Sequence, residues 1–410
     1  MLGGIGVLVL TSILAFVIVD SLKRKYRYVD SALLKQLYLY HVALAFAYYL
    51  YALFNPSDSI QYYAQIEANF RGETWFDHYG TSTIFIQFIG YPFIKFFGFS
   101  YEAMMALFAF FGYLGFCYFH IFFKEQIRFR HNFFGYDLVT LIFFLPNLHF
   151  WSSSFGKGSV IFLGIGLFFF GIGNVRRRWI TLLIASILIY HIRPHIMLVL
   201  LASAAIGFTF SSKGISTSLR IVLLLGAVVA LTFIYRDVFK MVGVNEDNFV
   251  SEGLDLSHRA SELSKATSGV NISNYSLPMQ VFTFLYRPLF IDAPGALGLF
   301  VSFENVFYVL ITLKLFNLRA IRFLISSSFL VKTAFVSFLT VAIALAQVSG
   351  NLGLAMRQKS QVMILLMFVI IAFMDFEKTK IYQRAMKDKQ RKASREKLNA
   401  QIRVADNPIK

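Results

Sequence analysis

The chain has 410 residues, of which 57% are hydrophobic, 18% aromatic and only 15% charged, with a mean hydropathy of +0.62. That balance excludes a soluble globular domain, because the charged surface is too small to face water. The formal charge of +17 does not point to nucleic acid, since the basic residues crowd into short loops and one tail.

Apolar runs long enough to cross about 30 Å of hydrocarbon recur along the chain. The first, Leu2 to Val19, has no basic residue before it and no small-residue cleavage site, and so predicts a retained helix rather than a signal peptide. Lys23, Arg24, Lys25 and Arg27 follow. If that cluster is cytoplasmic, the N-terminus lies outside, and a second helix near 34–54 returns the chain to the outer face. Further spans are expected near 101–123, 134–150, 159–174, 179–192, 196–210, 219–236, 295–313, 324–347 and 361–375. With this alternation, Lys124/Arg128/Arg130, Arg176 to Arg178, Lys213/Arg220 and Lys314/Arg319/Arg322 all fall in the cytoplasm.

The expected architecture is therefore an all-α polytopic bundle of about eleven spans over 1–376. Its outer loops are 55–100 and 238–294, and 377–410 forms a basic cytoplasmic tail near anionic lipid. Ile84 to Phe99 is apolar enough for a helix, but counting it as a span would export Arg176 to Arg178. It is expected to lie along the outer interface or to re-enter. Cys117, the single cysteine, sits inside an apolar run, so neither a disulfide nor a Cys-based zinc site is expected. The glycines of the spans and the 48 phenylalanines read as packing and lipid contact.

Chemistry is expected on the outer side, where cations run against the charge trend. Lys157 follows span four, Arg193 and His195 lie in YHIRPHI, and Arg357 and Lys359 stand in SGNLGLAMRQKS. An anionic ligand such as a lipid phosphate fits them, with headgroup snorkelling as the bland reading of any single one. Phe155 to Ser159 lacks the spacing of a phosphate-binding P-loop, so no nucleotide is expected there. In the second outer loop, His258 and Arg259 occupy a polar stretch, Arg287 lies in YRPLF, and Glu304 sits inside a span where it needs a partner.

The first outer loop reads NPSDSIQYYAQIEANFRGETWFDHYG. An acid, Asp58, follows directly on a helix; an amphipathic segment runs on to Arg71, and Asp77 beside His78 comes next. Asp58 is suited to take a proton from a sugar hydroxyl, and equally suited to cap the helix it begins. This order of acid, amphipathic helix and interfacial helix resembles the GT-C superfamily of membrane glycosyltransferases. YRPLF, an acid-asparagine pair and NLGLAMRQKS are similar to the late region of bacterial exopolysaccharide and O-antigen polymerases.

The resemblance implies Asp58 as catalytic base and Arg193, Arg287, Arg357 and Lys359 as the groups that grip the donor; Arg71, Asp77, His78, Lys157, His195, His258 and Arg259 are the further substrate-binding candidates of the outer loops. It further implies a polyprenyl-phosphate or diphosphate-linked glycan donor, an acceptor glycan or lipid, and the bacterial inner membrane. No metal and no cofactor are expected. A lipid-linked glycan flippase or other secondary transporter is the competing class, although no internal repeat supports it. A noncatalytic membrane subunit is the third.

Overall fold

The computed structural model describes residues 3–211, 269–272, 274–293 and 295–405, with isolated positions between 216 and 229. The expected span 219–236, most of the second outer loop, Lys213, Arg220, His258 and Arg259 lie outside the described residues. What is described is an all-α membrane bundle with a small hairpin, Asn132–Phe133 with Tyr136–Asp137, and an isolated bridge between Gly269 and Asn351. Six helices are long and apolar enough to cross a membrane: α1 (Gly4–Lys25), α2 (Ser31–Phe54), α5 (Tyr101–Gln126), α12 (Gly295–Thr312), α14 (Phe329–Val348) and α15 (Leu352–Ala405). Between them run α3 (Asp58–Glu67), α4 (Thr83–Tyr91), α6 (Leu138–Phe143), α7 (Pro146–Ser152), α8 (Lys157–Ile172), α9 (Val175–Ile192), α10 (Pro194–Thr209), α11 (Leu277–Tyr286) and α13 (Leu318–Ser326).

The centre is α8. Every residue from Gly158 to Ile172 is buried, so this helix is apolar all round, and it packs on α5 and α9. Small residues make the approach possible: a Cβ on Gly166 would lie 2.9 Å from the Gly115 carbonyl oxygen, and one on Gly112 only 1.8 Å from that of Ser152. A second group forms where α10 and α15 pack on α14.

The expected span 134–150 is two short helices, because Leu145 turns to extended backbone and Pro146, which has no N–H to donate, opens α7. The stretch 84–99 forms α4 and a π-helical turn, Pro92–Phe96, packed on α3. The last expected loop is shorter than its composition implies: α15 begins at Leu352, so Arg357 and Lys359 stand on its first turns. The same helix continues into the basic tail, whose side chains are exposed from Lys380 to Asn399.

Charged side chains tie the ends of the bundle. At one end, where α1 and α5 finish and α9 starts, Glu125 accepts bonds from Tyr28 and from Arg178 (Nη1 to Oε2, 2.9 Å). There too the Asp375 carboxylate accepts from the backbone of Arg128 and Phe129 (3.1 and 2.7 Å) and meets His131 at 3.2 Å. From Asp375 back to Arg357, α15 spans roughly 27 Å at about 1.5 Å per residue, close to the ~30 Å of a hydrocarbon core.

Candidate functional site

At the opposite end, the C-terminus of α2, the N-termini of α3, α8 and α15, and the joint between α9 and α10 come together. Ser57 caps α3: its hydroxyl accepts from the Ser59 N–H at 3.3 Å and pairs with the Ser59 hydroxyl at 2.7 Å. Asp58 is thereby the first helical residue rather than the cap, and its carboxylate is free for a different partner. That partner is Arg357, whose Nη1 donates to Asp58 Oδ2 at 2.6 Å. The arginine side chain is 23% exposed and the aspartate 46%, so the pair opens onto a wet rim. The guanidinium also lies 6.0 Å from the ring centre of Trp151 at the end of α7, within reach of its π face.

Two more cations complete the cluster. Lys157 begins α8 and donates to the Ser82 hydroxyl at 2.9 Å; Arg193, Arg357 and Asp58 lie within its electrostatic reach. A lysine here opposes the helix dipole, and neither α8 nor α10 has a side-chain cap. The positive end of the α8 dipole therefore adds to the charge of the lysine, a combination suited to an anion. Burial and the neighbouring Arg357 push the Arg193 guanidinium down to about 10. Lys157, Arg193 and Arg357 thus face a single carboxylate, and the cluster keeps a net positive charge. Tyr62, buried beside it, has its hydroxyl raised above the ordinary value by burial and by Asp58, which keeps it a neutral hydrogen-bonding group.

Four sequence-nominated residues, Asp58, Lys157, Arg193 and Arg357, are brought into one site. Three others sit in the first loop with local partners. Arg71 donates from Nε to Gln87 at 3.0 Å, and Asp77 accepts from the Thr74 N–H at 2.9 Å. That bond holds the Asp77 carboxyl below its ordinary range. His78 is buried against Tyr91, ring centres 4.8 Å apart. His195 is half-buried on the first turn of α10.

Arg287 and Lys359 belong to a second, interior network. Arg287 pairs with Asp292, and its carbonyl accepts from the buried Lys359 ammonium at 2.9 Å. Lys359 also donates to Asn305 at 2.7 Å. Glu304 next to it accepts from the Tyr308 hydroxyl at 2.6 Å and the Asn147 N–H at 2.9 Å. Positions two apart on a helix are turned by about 200°, so Lys359 points into the bundle while Arg357 faces the rim.

Ser82, Trp151 and Tyr62 were not singled out as site residues by the sequence. Tyr62 was visible only as part of an amphipathic segment, and Trp151 as one aromatic among many. Among the described residues, no three His, Cys, Asp or Glu side chains form a group able to hold a metal ion. No family model, curated protein or solved structure matches the chain.

Proposed function

We propose that the chain is a membrane glycosyltransferase or polysaccharide polymerase. In this reading it takes a sugar from a polyprenyl-phosphate or diphosphate-linked donor at the extracytoplasmic face of the bacterial inner membrane. The observation that carries the proposal is the Asp58–Arg357 pair within a cationic cluster at one end of an apolar bundle. The fold would be GT-C-like with about eleven spans. Helices α1, α2, α5, α6 with α7, α8, α9, α10, α12, α14 and α15 would supply ten and 219–236 the other. The basic ends near Arg27, Arg178 and Arg319 would then be cytoplasmic.

The chemistry follows from the residues. A donor phosphate competes with Asp58 for Arg357 and is held there by Lys157 and Arg193, with the lipid chain in the bilayer. The displaced Asp58 carboxylate takes the proton of the acceptor hydroxyl as its oxygen attacks the anomeric carbon. The bond from that carbon to the phosphate oxygen breaks, and the electron pair leaves on the phosphate, where the guanidinium stabilises the added charge. The aspartate side chain of the pair is 46% exposed, so a charged ligand can approach it from the rim.

A flippase remains the second reading, drawn from the buried Glu304 and Lys359, since ionisable groups inside a bundle often serve transport. Deleting the gene and profiling surface polysaccharide on gels separates the readings. Surviving single repeats without long chains support a polymerase, and a truncated repeat supports a single-sugar transferase. Lipid-linked repeats trapped on the cytoplasmic leaflet indicate a flippase, and an unchanged glycan overturns all three.

A further inference from the structure

His41 of α2 and His149 of α7 meet in the interior, both fully buried. Three short contacts run in series: Ala109 O to His41 Nε2 at 3.0 Å, His41 Nδ1 to His149 Nδ1 at 2.8 Å, and His149 Nε2 to Phe143 O at 2.7 Å. Each contact needs one hydrogen, because two facing lone pairs repel. Carbonyl oxygens bring none, and two neutral imidazoles bring two between them. Every neutral tautomer combination therefore leaves one contact without a hydrogen. A tetrahedral zinc does not fill the gap, since its nitrogen ligands stand about 3.3 Å apart at an M–N bond of about 2.0 Å, and among the described residues no third His, Cys, Asp or Glu joins the pair to hold a metal ion.

We propose that His41 and His149 bind one proton between them, forming a monocation joined by an Nδ1–H···Nδ1 bond that fastens α7 to α2. The inference is independent of the glycosyl-transfer reading. Burial opposes a charge at such a place. Offsetting it are the two carbonyls aimed at the outer N–H groups and the Phe116 ring, stacked on His149 with centres 4.0 Å apart and planes 5° from parallel. Phe116 also lies 5.5 Å from His41.

Among the described residues, the titratable groups facing the pair are few. Tyr40 of α2 lies 4.9 Å from His149, and Tyr113 of α5 lies 6.4 Å from His41, with Cys117 one turn beyond. Glu304 of α12 reaches only the Asn147 N–H, two residues before His149, and is in turn within electrostatic reach of Lys359 of α15. From α8, the apolar Phe162 packs on Phe116.

The proton matters because α7 seats Arg357. Trp151 lies under the guanidinium, and the Asn147 side chain, which accepts from the Trp151 indole at 3.0 Å, donates to the Met356 carbonyl at 3.0 Å. Losing the proton sets two lone pairs against each other and loosens α7 from α2.

The test uses the full chain with 15N-labelled histidine in lipid nanodiscs, at neutral pH. Magic-angle-spinning NMR should find a through-hydrogen-bond nitrogen–nitrogen coupling between one imidazolium and one neutral ring, with both outer nitrogens protonated. Two neutral rings, coupled or not, overturn the proposal. A second measurement uses His149→Gln, whose neutral amide supplies the missing hydrogen. Raising the pH removes the shared proton, so the wild-type melting temperature should fall on the alkaline side while that of His149→Gln stays level. Identical alkaline profiles contradict the proposal.

Discussion

The Asp58 carboxylate accepts a 2.6 Å bond from Arg357, which stands 299 positions further along the chain. One residue opens α3 and the other stands near the start of α15, so the contact closes the helical bundle at one end and pairs its first-loop acid with its late arginine. With Lys157 and Arg193 beside them, the proposed reaction would start from this pair, with an internal carboxylate in the place a donor phosphate would take.

Arg357→Lys keeps the charge but loses the planar double donor, and Arg357→Ala loses both. Hydrogen bonds to a charged group contribute roughly 1.5–3 kcal/mol each. Binding of a polyprenyl phosphate to purified protein in nanodiscs should weaken about tenfold or more in Arg357→Ala and less in Arg357→Lys. Wild-type affinity in the alanine variant would remove this residue from the donor site.

Orientation follows from the proposal. Reporter fusions placed after Asn55 should be active outside the cytoplasm, and fusions after Arg176 or Phe376 inside it. An Asp58 on the cytoplasmic side ends the extracytoplasmic account.

Packing at Gly112 is tested without reference to activity. An added methyl would meet the Ser152 carbonyl, a backbone atom that cannot swing away, whereas a Cβ on Gly6 meets nothing within 4 Å. Gly112→Ala should lower stability by about 1–3 kcal/mol or more, read as an earlier unfolding transition in detergent. Gly6→Ala should leave it near wild type.

From Gln383 to Asn399 the tail of α15 is exposed. Truncation after Tyr382 keeps the Lys378 bond to Arg130 and the Glu377 bridge to Arg319. It should therefore leave thermal stability and transfer unchanged. A large loss of transfer with normal insertion would assign the tail a direct role.

Much of this site was legible before the fold, for a physical reason. In the expected topology Lys157, Arg193 and Arg357 each oppose the charge trend, which marked them as candidates to face something anionic. Arg287 and Lys359 have the same signature yet join the Glu304 network, because side-chain direction depends on helix register. Placing 348–360 between two spans hid that register. The break at Leu145 was foreshadowed by Pro146, but the line from His41 through His149 was not. A histidine in an apolar run carries no mark of the partner it meets 108 positions away. Trp151 and Ser82 were equally silent, since their roles come from where α7 ends and α4 begins.

The most direct measurement is complementation of the gene deletion with Asp58→Asn, which is nearly isosteric and cannot accept the proton. Because the aspartate side chain is 46% exposed and an asparagine amide oxygen can still accept from the guanidinium, the variant should insert and accumulate like wild type. The account predicts that it nonetheless fails to restore surface polysaccharide. Full restoration at normal protein level would contradict a catalytic Asp58 and reduce it to an anchor for Arg357.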